Sequence, residues 1–66
     1  MNYRNNYRNR VQEIERLIKV LKGVGIVNVE ELSKVLVRIM QSYAVQIGIE
    51  PLRPRELEYV WQRLIE

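Results

Sequence analysis

The sequence predicts an all-α protein, a small three-helix unit with helices at about residues 7–22, 28–47 and 54–65. Three observations carry this. Apolar residues recur at helical spacing in three separate stretches, the second and third of these open on recognisable helix-start signals, and Gly or Pro punctuates the intervals. Residues 1–9 read as a basic Asn/Tyr/Arg arm or a frayed helix start, and residues 10–66 as one helical domain.

The chain opens Met1 and then Asn-Tyr-Arg-Asn written twice, "NYRNNYRN". A four-residue period stacks Tyr3 on Tyr7 and Tyr7 on Val11, which would prolong the apolar seam of the first helix. Four of the eight repeat residues are Asn, a poor helix former, which favours an arm instead. From Tyr7 the apolar positions continue through Val11, Ile14, Ile18 and Leu21, with Leu17 beside them, at coiled-coil-like spacing. Glu15 and Lys19 form a solvent-side pair four residues apart. Lys22 suits the negative end of the helix dipole and Gly23 the left-handed stop, with Val24 folding back on Ile18.

Asn28 is a good N-cap for the second helix. Glu31 completes a capping-box pattern, and Val27 and Leu32 occupy the hydrophobic-staple positions. Gly48, Ile49 and Pro51 end the helix. On a helical wheel its apolar residues cover roughly 200°, about twice the stripe of an ordinary surface helix. This makes the second helix the expected centre of the core and of a homodimer interface formed by Val35, Val37, Ile39, Met40, Tyr43 and Ala44. A strand in "VGIVNV" would suggest a ribbon-helix-helix regulator. The length of the second helix speaks against it, and a buried loop accounts for the apolar run equally well.

The third helix has Pro54 at its first position, Leu52 and Leu57 as a staple, and Leu57, Val60, Trp61, Leu64 and Ile65 as its inner face. Arg53 falls at the N-cap, a position that prefers Ser, Thr, Asp or Asn.

Composition bounds the function. The chain has 66 residues, no Cys and no His, so disulfides and the usual zinc ligands are excluded and self-association is the remaining way to bury more surface. Asp and Thr are also absent, and Ser33 and Ser42 have no visible base, so an enzyme is the least supported class and no cofactor or metal ion is expected. No apolar run approaches the roughly 18 residues of a membrane span, and the N-terminus lacks an apolar h-region; a cytoplasmic site without a membrane partner is expected.

The charge is unevenly spread. Residues 1–10 carry Arg4, Arg8 and Arg10 and no acid, whereas residues 11–66 balance eight Lys/Arg against eight Glu, so the net charge of +3 lies in the arm. The leading functional expectation is a small non-enzymatic nucleic-acid-binding or regulatory protein acting as a homo-oligomer. Arg4, Arg8 and Arg10 would meet phosphates while Tyr3 and Tyr7 stack on bases. Arg53 and Arg55, flanking Pro54, offer a second anion site at a helix N-terminus, though Glu56 and Glu58 in the same turn weaken its field. The outer face of the third helix, with Arg55, Tyr59, Gln62 and Arg63, is a weaker candidate for a DNA-reading helix. The competing expectation is a protein-protein interaction adaptor or assembly subunit that uses the wide apolar face of the second helix.

Overall fold

The structure is a computed structural model that describes residues 3–66, with side chains from residue 9 onward. Three helices and no strand are found among the described residues: α1 (Tyr3–Gly23), α2 (Lys34–Gln46) and α3 (Pro54–Ile65). The third helix has the bounds read from the sequence; the first two do not.

Helix α1 already includes the backbone of the second Asn-Tyr-Arg-Asn tetrad and most of the first. It also continues through Gly23, so the stop comes two residues later than the glycine pattern suggested. Gly25, with φ +97°, takes the left-handed position. The N–H of Ile26 donates to the Leu21 carbonyl at 2.8 Å and that of Gly25 to the Lys22 carbonyl at 3.1 Å, the paired bonds of a Schellman end. Ile26, not Val24, is the apolar residue folded back.

The larger difference is the start of α2. Asn28 is not its N-cap. It sits in the connection at φ +53°, and its N–H donates to the Leu64 carbonyl of α3 at 2.8 Å. The cap is Ser33, whose Oγ accepts from the Leu36 N–H at 3.1 Å. Tertiary burial overrides the local capping signal here. Ile26, Val29 and Leu32 pack on the core from the extended connection, and the Trp61 indole N–H donates to the Val29 carbonyl at 3.3 Å. A helix begun at residue 28 would give up these contacts. The end of α2 follows the sequence signals: Gly48 has φ +80°, and the Ile49 N–H reaches back to the Ala44 carbonyl at 3.0 Å.

The central helix is α1, not α2, since both α2 and α3 pack against it. Ile14, Leu17, Ile18 and Leu21 of α1 meet Leu36, Met40 and Ala44 from α2 and Val60 and Leu64 from α3, and Ile49 and Leu52 close the core from the α2–α3 connection. A truncated α2 needs less cover than a nineteen-residue one, and its three buried residues are all covered within one chain. The connection is held by Gln41, whose side-chain amide both donates to the Leu52 carbonyl at 2.8 Å and accepts from the Leu52 N–H at 2.7 Å. Arg16 donates to the Ile47 carbonyl at 3.0 Å, satisfying one of the orphan acceptors at the end of α2.

Candidate functional site

Arg10, expected as a phosphate contact, is bonded within the fold. Its guanidinium bridges α1 to the start of α3: Nε donates to Glu56 Oε2 at 2.9 Å and Nη2 to Glu56 Oε1 at 2.6 Å. The remaining donors reach the Glu50 carbonyl at 3.1 Å, the Pro51 carbonyl at 3.0 Å and Glu13 Oε1 at 3.5 Å. A guanidinium has five N–H groups, so this one is saturated within the fold. The hydrogen bond from Arg10 holds the Glu56 carboxyl below the ordinary range, and the Glu56 partner raises Arg10 in turn.

Glu56 has a second task. Its Oε1 accepts the Arg53 N–H at 2.9 Å, so it supplies the reciprocal half of a capping box while Arg53, which has no side-chain acceptor, supplies none. The unfavourable residue at the N-cap is thereby compensated by the third residue of the helix. Arg53 and Arg55 are exposed and neither side chain makes an ion pair among the described residues.

A second cluster joins α1 to α3. Arg63 Nη1 lies 2.8 Å from both Glu15 oxygens, the Tyr59 hydroxyl donates to Glu15 at 2.6 Å, and Arg63 Nε reaches Glu66 at 3.1 Å. The hydrogen bonds from Tyr59 and then Arg63 lower the Glu15 carboxyl, and Arg63 is raised, first by Glu15. Glu15 thus turns to α3 in place of its expected partner Lys19. Tyr59 and Arg63, read as outward residues available to DNA, are occupied with one another.

Of the interface residues expected on α2, Met40 and Ala44 are fully enclosed in the single chain, at 0% exposure each. They lie on the side of α2 that meets α1, which is why no partner reaches them. Val35 is 68% exposed, and Val37, Ile39 and Tyr43 are half-buried. The side chains of Tyr3, Arg4, Tyr7 and Arg8 lie outside the described ones; the backbone that carries them is helical.

What sequence reasoning missed is how charge is distributed on the body. Residues 9–66 hold nine Lys/Arg and all eight Glu. The ion pairs engage Arg10 and Arg63 with Glu13, Glu15, Glu56 and Glu66, so seven cations and four acids remain. The α1–α3 seam concentrates acid, and the rest of the body is left basic. Beside the Arg10 clamp, a groove of about 490 Å³ opens between α1 and α3, lined by Arg10, Val11, Ile14, Arg55, Glu56 and Tyr59. Among the described residues no three His, Cys, Asp or Glu are grouped to hold a metal ion. Comparison with protein-family models, with curated proteins and with solved structures finds no match.

Proposed function

We propose that the protein is a small non-enzymatic nucleic-acid-binding or regulatory protein that works as a homo-oligomer, with α1 as the element laid along the phosphates. One observation carries this reading: α1 runs unbroken from Tyr3 to Gly23 and contains six Lys/Arg against two Glu, both of which are engaged in ion pairs. Arg4 and Arg8 therefore belong to the same rod as Arg16, Lys19 and Lys22, which are exposed. At about 1.5 Å per residue the rod is about 30 Å long, the span of about nine base pairs. A helix presents these charges at fixed spacing, which suits phosphate tracking better than a loose tether does.

Arg10 is removed from the contact set because its donors are spent. Arg53 and Arg55 remain available as accessory phosphate contacts at the start of α3. The adaptor reading keeps one supporting observation, that Val35 and Val45 of α2 are the two most exposed large apolar side chains among the described residues.

The test is the anisotropy of a labelled duplex and of a single strand across a salt series. Arg4→Gln with Arg8→Gln, and separately Lys19→Gln with Lys22→Gln, should each reduce the log–log salt slope by up to about 1.8, at about 0.9 per lost phosphate contact on duplex DNA. No binding by the intact protein at about 50 mM salt, or a slope unmoved by either pair, refutes the reading.

A further inference from the structure

The outer faces of the helices are not equally free. On α3 the Tyr59 hydroxyl and the Arg63 guanidinium are spent on Glu15, and Glu58 is exposed, where it would repel a phosphate. Helix α2 contains Lys34 and Arg38 and no acid. Its buried residues, Leu36, Met40 and Ala44, recur every four positions and form the ridge that meets the core. Lys34, Arg38, Ser42 and Gln46 recur at the same interval, two positions out of step, and all four are exposed. Two positions are about 200° of helix, so this second ridge runs along the side of α2 opposite the core.

What the ridge presents is hydrogen-bond donors. Lys34 and Arg38 are in no ion pair among the described residues, and Ser42 and Gln46 share one hydrogen bond at the outer limit of length, 3.5 Å. Val35 and Val45, 68% and 65% exposed, flank the row, one near each end. From Lys34 to Gln46 the row is about 18 Å long at about 1.5 Å per residue, the rise of about five base pairs. A partner helix would need a continuous apolar stripe at one-turn spacing, whereas cations and hydroxyl or amide groups lie between the two valines.

We infer that α2 is a reading helix, with its Lys34, Arg38, Ser42 and Gln46 ridge seated in the major groove of B-form duplex DNA. The inference deepens the nucleic-acid part of the proposed function and rests on it. The major groove, about 12 Å wide, admits an α-helix, and its base edges match what the ridge offers. Guanine O6 and N7 suit the Arg38 guanidinium, adenine N6 and N7 the Gln46 amide, and the thymine methyl group Val35 or Val45. Lys34, in the first turn, is left for a phosphate. Arg16 of α1 donates to the Ile47 carbonyl, which sets one cation of α1 beside the end of the reading helix. Duplex RNA does not fit this mode, because its major groove is too deep and narrow for side chains to read.

Selection by the full chain from a pool of duplex DNA with a random core tests it. The wild type should enrich a site containing a guanine whose replacement weakens binding about tenfold or more. Arg38→Gln should lose the preference at that position, and Gln46→Ala the preference for an adenine about three to four base pairs away. A guanine analogue without the N7 acceptor should weaken the wild type and leave Arg38→Gln unchanged, a difference that loss of the fold would not produce. Circular dichroism verifies that each variant is folded. Failure to bind any duplex at about 50 mM salt overturns the proposed function and this inference together. Salt-sensitive binding without an enriched site, a site unmoved by both variants, or an RNA duplex of the same sequence bound as tightly overturns this inference alone and leaves phosphate binding through α1 standing.

Discussion

Arg10→Met isolates the contribution of the clamp between α1 and α3. Methionine keeps helix propensity and much of the stem packing while removing all five donors. The Glu50 and Pro51 carbonyls face solvent and regain water, so their loss costs little. Glu56 loses two charge-assisted bonds at a site where its side chain is 16% exposed, and keeps only the Arg53 N–H. Hydrogen bonds to charged groups contribute about 1.5–3 kcal/mol each when intact, and partial solvation of the stranded carboxylate reduces that. The expected cost is about 2–3 kcal/mol for the pair. For a domain of this size that corresponds to a fall in Tm of about 10–20 °C, readable by thermal circular dichroism. Glu56→Gln retains the bond to the Arg53 N–H through its amide oxygen and should cost less. A double-mutant cycle of the two variants then gives the coupling directly. An Arg10→Met protein within about 0.5 kcal/mol of wild type would refute the clamp, and one that keeps its Tm but loses nucleic-acid affinity would return Arg10 to the binding surface.

Acid should destabilise the protein through the same groups. Glu56 and Glu15 both have carboxyls lowered from their ordinary value of 4.5, so their contribution is fully present above that pH and is lost as pH falls through the lower folded-state values. Tm measured against pH should be flat near neutrality and drop below about pH 4.5, with a shallower drop in Glu56→Gln. Ser33→Ala should cost about 1 kcal/mol by denaturant titration, as loss of a helix cap does; no cost would mean that α2 is capped elsewhere.

The sequence made the third helix legible to the residue, because Pro54, the Leu52–Leu57 staple and the Gly48 stop before it all agree with the tertiary structure. It misled at Asn28 because the capping signal there is local, whereas the forces that draw residues 26–32 onto the core come from Trp61 and Leu64, more than thirty residues away. The same distance hides the clamp. Nothing near Arg10 marks Glu56 as its partner, since the two are separated by 46 positions. Of the apolar residues expected on α2, Met40, Tyr43 and Ala44 do lie on the core while Val35 is exposed, and the core centres on α1 because α2, expected over 28–47, spans only Lys34–Gln46. A basic arm and an unusual N-cap are visible as Arg4, Arg8 and Arg53; that four of the eight Glu gather in ion pairs with Arg10 and Arg63 beside the α1–α3 seam is not.

The arrangement of α2 and α3 around a shared α1 bears on how the chain folds. Helices α1 and α2, adjacent in sequence, can meet early as a helical hairpin, since the loop to be closed is short. Every polar tie of α3 to the rest is long in sequence, with Arg10–Glu56 spanning 46 residues and Glu15–Arg63 spanning 48. Its docking therefore closes the largest loops, and a transition state in which α1 and α2 are formed while α3 is still loose is the expected route. Mutations at Val60 or Leu64 should then mainly accelerate unfolding, while those at Leu17 or Met40 should slow folding itself.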